Sequence, residues 1–120
     1  MPPKPIVEDV SHGQLDVLLM VNAEHAKCVF DRDDLKKVCN TFLHNVVKPD
    51  RSNLNGQVDG TPGAERYEGA AIAGWLLLAE YDPGVYEVCR QVYEKRGKES
   101  LYSLARLLNW QKKLAQTQAK

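Results

Sequence analysis

Apolar positions fall into successive clusters along the chain, and their spacing sorts them into elements. The first cluster, Leu15, Val17, Leu18, Leu19, Met20 and Val21, is a continuous run that periodicity alone does not assign. A helix from about Ser11 places Leu15, Leu18, Leu19, Asn22 and Ala26 on one face, with Val17, Met20 and Val21 on a second. A β-hairpin instead pairs Leu15–Val21 with Ala26–Phe30 across Asn22-Ala23-Glu24-His25. The helix is the favoured reading, because the Ala-Glu-x-Ala segment suits it and no Asn-Gly type turn is present. Residues 1–10 carry three prolines and read as a tail, docked through Ile6 and Val7.

The second cluster has clearer punctuation. Asp31 is placed to cap the first amides of a helix, Phe30 to staple against Leu35, and Asp33 and Asp34 to complement the helix dipole. Leu35, Val38, Phe42, Leu43 and Val46 recur at helical spacing, and Pro49 ends the run. Residues 49–63 are loop by composition. Asn55-Gly56 marks a turn that suits a small hairpin between Leu54 and Val58, and the whole segment reads as a mobile connector.

Three further helices follow. Thr61 as cap and Pro62 at the first helical position open one with Tyr67, Ala70, Ala71, Gly74, Leu77, Leu78 and Tyr81 inward. Its small residues Gly69, Ala70, Ala73 and Gly74 leave room for a close neighbour. Asp82-Pro83 repeats that opening for a helix with Val85, Val88, Cys89 and Val92 inward, stopped by Gly97. Ser100 caps the last, which carries Leu101, Leu104, Ala105, Leu107, Leu108 and Leu114. The pattern predicts an all-α fold: a compact bundle of four to five helices in one domain over residues 11–120, with the N-terminal element either helix or β-hairpin.

Composition narrows the function classes. At 120 residues, 43% hydrophobic and 27% charged, the chain is long enough to bury a core without a metal or disulfide staple. Three cysteines cannot all pair, and no signal-type apolar core follows the start, so a reduced cytoplasmic setting is expected. The longest uncharged apolar-leaning run, Gly69–Ala79, has 11 residues and is too short to span a bilayer, so no membrane partner is expected. The formal net charge of zero is a cancellation of −2 over residues 1–60, −4 over 61–94 and +6 over 95–120. It excludes a uniformly basic protein and points to the basic C-terminal end as the place where partners are chosen.

Candidate chemistry is sparse. His25-x2-Cys28-x10-Cys39-x4-His44 has the outline of a small zinc site, but its order is unusual, and Cys39 and His44 sit about 140° apart around a helix. Two buried cysteines and two surface histidines are the expectation, with convergence of the four on a metal left open. A cysteine nucleophile is disfavoured because Asp31, Asp33 and Asp34 surround Cys28 and would raise its pKa. No glycine-rich nucleotide loop, nucleophile elbow or two-histidine zinc helix is present. No enzymatic activity and no cofactor are expected.

Two binding readings remain. Trp75, Tyr86, Arg90 and Tyr93 fall near the outer edges of the inward stripes, and Tyr86 and Tyr93 share a face with Arg90 between them. Trp, Tyr and Arg in that arrangement suit a protein interface. The expected function is therefore a small non-enzymatic adaptor or regulatory protein that contacts a protein partner and self-associates. The alternative is a nucleic-acid-binding regulator. Residues 85–113 have a helix-turn-helix outline, and Arg106, Asn109, Trp110, Lys112 and Lys113 supply phosphate and base contacts from the basic last helix.

Overall fold

The computed structural model describes residues 6–63, 68–96 and 100–118, together with Pro3. The N-terminal element is a helix, α1 (Val10–His25), and not a hairpin. Asp9 caps it, its carboxylate accepting from the Ser11 and His12 amides at 2.9 and 3.0 Å. The inward face is Val10, Gly13, Val17 and Val21. Leu15, Leu18 and Leu19, grouped by their spacing as one face, point outward. The reason is the neighbour. A Cβ on Gly13 would lie 2.9 Å from the Trp75 ring and 2.9 Å from Val58, and one on Gly74 would lie 2.5 Å from Gln14. So close a crossing admits glycine and valine but not a stripe of leucines.

Helix α2 (Arg32–Thr41) carries the expected Asp31 cap, and Asp34 accepts from the Asp31 amide in return to make it a capping box. It widens into a π segment, Phe42–Val46, where the Val47 amide bonds the Phe42 carbonyl at 3.0 Å. Leu35, Cys39, Phe42 and Val46 are buried by this continuous rod, and extended backbone at Val47 ends it two residues before Pro49. Helix α3 (Glu68–Trp75) runs into a 3₁₀ segment, Leu76–Glu80. Thr61 and Pro62 precede it in non-helical backbone. The Thr61 hydroxyl instead donates to Asp59 and Gln57 and closes a turn. The inward position assigned to Tyr67 and the stop at Gly97 lie outside the described residues, and for Gly69 and Ala70 only the helical backbone is described. Helix α4 (Gly84–Lys95) begins after Asp82, whose carboxylate accepts from the Gly84 amide at 2.9 Å. Helix α5 (Leu101–Gln118) is capped by Ser100, whose hydroxyl accepts from the Ser103 amide at 3.2 Å.

Among the described residues these elements make an all-α bundle of five helices. Among the described residues the only β-pairing is two isolated antiparallel bridges, Asp9 with Gln57 and Val47 with Leu54. Both lie on segment 49–63 or its edges, which is fastened to the body rather than folded into a hairpin about Asn55-Gly56. Leu54 is fully buried. The Val10 amide bonds Gly56, the Val58 amide bonds Glu8, and the Asn55 amide bonds Val46. From the other side α4 holds residues 50–53: Arg51 to Gln91 at 2.7 Å, Lys95 to the Asp50 carbonyl, and Arg96 to Asn53. Thus two cations of the basic C-terminal stretch are turned inward on their own chain.

Trp75 is the joint of the bundle. It is 3% exposed, its Nε1 donates to the Val10 carbonyl at 2.9 Å, and its ring stacks on Phe42 with centroids 5.4 Å apart. Helix α3 packs against both α1 and α5, while α4 covers α5 and the 3₁₀ segment. Trp75→Ala should lower unfolding free energy by about 3–5 kcal/mol, the usual range for a large aromatic removed from a core. Denaturant titration followed by circular dichroism measures it, and a loss below about 1 kcal/mol would remove Trp75 from this role.

The α1 cap generates a pH prediction. The Ser11 hydroxyl, then His12, hold the Asp9 carboxyl well below the usual carboxylate range, and the Asp9 carboxylate raises His12. A lowered acid stabilises above its unfolded pKa, and that contribution is lost as pH falls through the folded pKa. A raised histidine stabilises fully below its unfolded pKa, and is lost as pH rises through the folded value. Both act together between about pH 4 and 6.5. Asp9→Asn keeps a capping side chain, so its thermal-unfolding deficit should be greatest near the middle of that window and shrink toward strong acid. A deficit constant with pH would contradict the assignment.

Candidate functional site: a groove between the last two helices

The sequence-expected interface residues separate into a buried one and a surface group. Trp75 is not at an edge but in the core, since its indole N–H finds an acceptor only in the first turn of α1. Tyr86, Arg90 and Tyr93 do stand together on α4. They line an open groove of about 300 Å³, whose other wall is Leu104, Leu107, Leu108 and Gln111 of α5. Tyr93 and Leu107 are buried at its floor, while Leu108 stands 55% exposed at its rim. The sequence reading gave the α5 leucines no face. The signal that could have found them is a surplus: Leu101, Leu104, Leu107 and Leu108 exceed what one inward stripe holds.

Arg90 is not a free cation in this groove. Its guanidinium bonds Glu87 at 2.5 and 3.1 Å and Glu94 at 2.7 Å. These carboxylates raise its pKa further, and the Arg90 guanidinium lowers that of Glu87. The α4 wall therefore carries its one guanidinium between two carboxylates, beside the phenol edges of Tyr86 and Tyr93. Burial raises the Tyr86 hydroxyl, so it remains a neutral hydrogen-bonding group.

The residues of the nucleic-acid reading occupy other parts of α5. Arg106 lies over the Tyr102 ring at 5.2 Å and bonds its hydroxyl at 2.8 Å. Lys113 lies over Trp110 at 4.8 Å. Asn109 and Lys112 are exposed. Trp110 is 8% exposed and therefore closed to base stacking. With Lys113 and Leu114 it borders a wider open cavity of about 640 Å³ against Ala79, Glu80 and Pro83.

The four potential zinc ligands do not converge. Cys28 is exposed, while Cys39 is buried with its thiol directed to the Leu78 carbonyl at 3.6 Å. His44 is exposed on the π segment. His25 Nε2 donates to both oxygens of Glu80 at 2.9 and 2.8 Å, tying the end of α1 to the end of the 3₁₀ segment. Beside this pair the Tyr81 hydroxyl donates to Glu24 at 2.7 Å, and Arg32 covers the Tyr81 ring at 4.9 Å. Among the described residues, the close groups of potential metal ligands are Glu24, His25 and Glu80, and Glu8, Asp9 and His12. Both serve as cross-links or caps of α1.

No protein-family model, curated protein or solved structure matches the chain. Among the described residues no helix is long and apolar enough to cross a membrane.

The cysteines have opposite environments for nucleophilic chemistry. Burial pushes the Cys39 thiol up to about 11 and raises Cys89 as well, the reverse of what an activated thiolate needs. Iodoacetamide at neutral pH should modify one thiol of the native chain, Cys28, and reach the other two only after denaturation. Mass spectrometry reads the count, and rapid native labelling of Cys39 or Cys89 would contradict the packing.

Proposed function

We propose that this chain is a small non-enzymatic adaptor or regulatory protein, acting in the cytoplasm through protein–protein contacts and self-association, with the α4–α5 groove as its binding face. The observation that carries this reading is the groove itself: an apolar floor of Tyr93, Leu104 and Leu107, rimmed by Tyr86 and the exposed Leu108. Aromatic and aliphatic groups around a concave apolar floor are what a partner's side chains fill at the centre of an interface. The ion-paired Arg90 favours a neutral or mixed partner surface over a polyanion.

Nucleic-acid binding is the second reading, and one observation favours it. Helix α5 carries Arg106, Lys112 and Lys113 and no Asp or Glu, so it is the one helix of the bundle whose charged side chains are all basic. Against it stand the burial of Trp110 and the packing of Arg106 and Lys113 on their own aromatics.

Affinity purification of the tagged chain, with and without nuclease, separates the two. The adaptor reading expects a protein retained after nuclease and weakened about tenfold or more by Tyr86→Ala, as for an interface anchor. Changing Arg106, Lys112 and Lys113 together to Ala should leave that retention intact. Loss of every bound component on nuclease treatment, with binding that falls steeply in salt, would replace it with the nucleic-acid reading.

A further inference from the structure

The close crossing at Gly13 leaves a dent beside it. An open pocket of about 180 Å³ lies between α1 and α2, with Val17, Met20, Val38, Val58 and Trp75 as its apolar lining. Gly13 borders it as well and contributes no side chain to fill it. Small-molecule sites begin near about 300 Å³, and a water molecule in the liquid takes about 30 Å³. The pocket therefore has room for one long side chain.

The charged residues that line this pocket are both acids, Glu8 and Asp16. Asp16 is exposed, and among the described residues it pairs with no Lys or Arg. Glu8 reaches only His12, at 4.0 Å. That imidazole is itself held by Asp9, and Asp9, then Glu8 and Asp16, raise its pKa. On the other wall Thr41 lines the pocket, and Lys37, one turn before it, is paired with Asp34 at 3.8 Å. From Pro5 to Ala26 the chain carries Glu8, Asp9, Asp16 and Glu24 and no Lys or Arg. An apolar floor and an acidic rim thus belong to one site, and the complement of that rim is a cation.

Lysine and arginine match both parts of such a site, because their stems bury along apolar surface while the charged head stays at the rim. Leu19 is 65% exposed and stands three residues on from Asp16, so it is a neighbour of Asp16 on the helix surface. We infer that this pocket takes a lysine or arginine side chain from a basic amphipathic segment of a partner protein. The stem lies on Val17, Met20 and Val58, the charged end meets Glu8 and Asp16, and an apolar neighbour in the segment covers Leu19. The sign of the rim excludes nucleic acid and anionic lipid as occupants. This face shares no residue with the α4–α5 groove and does not rest on it.

The probe is a fluorescein-labelled amphipathic peptide of leucine and lysine, titrated with the purified full chain and followed by anisotropy. Its control has glutamate in place of lysine. The lysine peptide should bind, weaken as salt is added, and lose about tenfold in affinity with Asp16→Asn, the scale of a hydrogen bond to a charged group. The glutamate peptide should not bind. Thr41→Phe fills the pocket while leaving both acids in place, and should weaken binding at least as much. Should circular dichroism show that this variant loses helicity, Met20→Ala, which removes part of the wall, replaces it. Tyr86→Ala should change nothing, which separates this face from the groove. Equal binding of the two peptides overturns the cationic occupant. Binding that the pocket variant leaves unchanged is attraction to surface charge alone and overturns the pocket. Binding lost with Tyr86→Ala but kept with Asp16→Asn puts the peptide in the groove, and no binding of the lysine peptide at all overturns the inference while leaving the groove reading to its own test.

Discussion

The Trp75 indole is the contact on which the arrangement of the other elements depends. Its N–H satisfies an acceptor in the first turn of α1, its face lies on Phe42 of the π segment, and its edge fills the space left by Gly13. Helix α1 otherwise turns only small side chains inward, and valines alone bury little area per turn. A large aromatic with its polar atom paired supplies the missing apolar area, and an unpaired indole N–H there would carry a desolvation cost. Removing the ring would loosen α1, and with it the pairing of residues 8–10 to residues 56–58.

That close crossing dictates what the surface looks like. With Gly13 and Gly74 bringing the α1 and α3 backbones together, the helix rotates its valines in, and the bulkier leucines have only the outside left. The outer leucines follow from a steric condition in the core, and they become the apolar stripe available to a partner. The same economy of space governs segment 49–63. Its Leu54 is buried between the end of the π segment and the body, and its backbone polar groups find partners in residues 8–10, 46–48 and α4, which meets the need of buried amides and carbonyls for hydrogen bonds.

Electrostatics then sort the surfaces rather than hold the fold. Lys95 and Arg96 are drawn to segment 50–53, so two cations of the basic C-terminal stretch are used within the chain, and Arg90 is held between Glu87 and Glu94. Helix α5 carries no acid and helix α1 no Lys or Arg. Exposed ion pairs contribute little individually.

Much of this was legible in the sequence, and the boundary is physical. The Asp31 capping box, the Leu35, Phe42 and Val46 stripe, the Asp82-Pro83 start, the inward Val85, Val88, Cys89 and Val92, and the Ser100 cap all depend on residues within one or two turns of each other. Local spacing also placed Tyr86, Arg90 and Tyr93 on one surface. The inward face of α1, the burial of Trp75, the docking of segment 49–63 and the α5 wall of the groove were not legible. Each is set by a neighbour distant in the chain, as when Trp75 bonds a carbonyl 65 residues away. The sequence by itself determined where helices begin, end and carry apolar residues, because propensity, capping and periodicity are short-range. Only the tertiary structure decided which of two apolar faces goes inside, because that choice depends on the shape and hydrogen-bonding needs of the element packed against it.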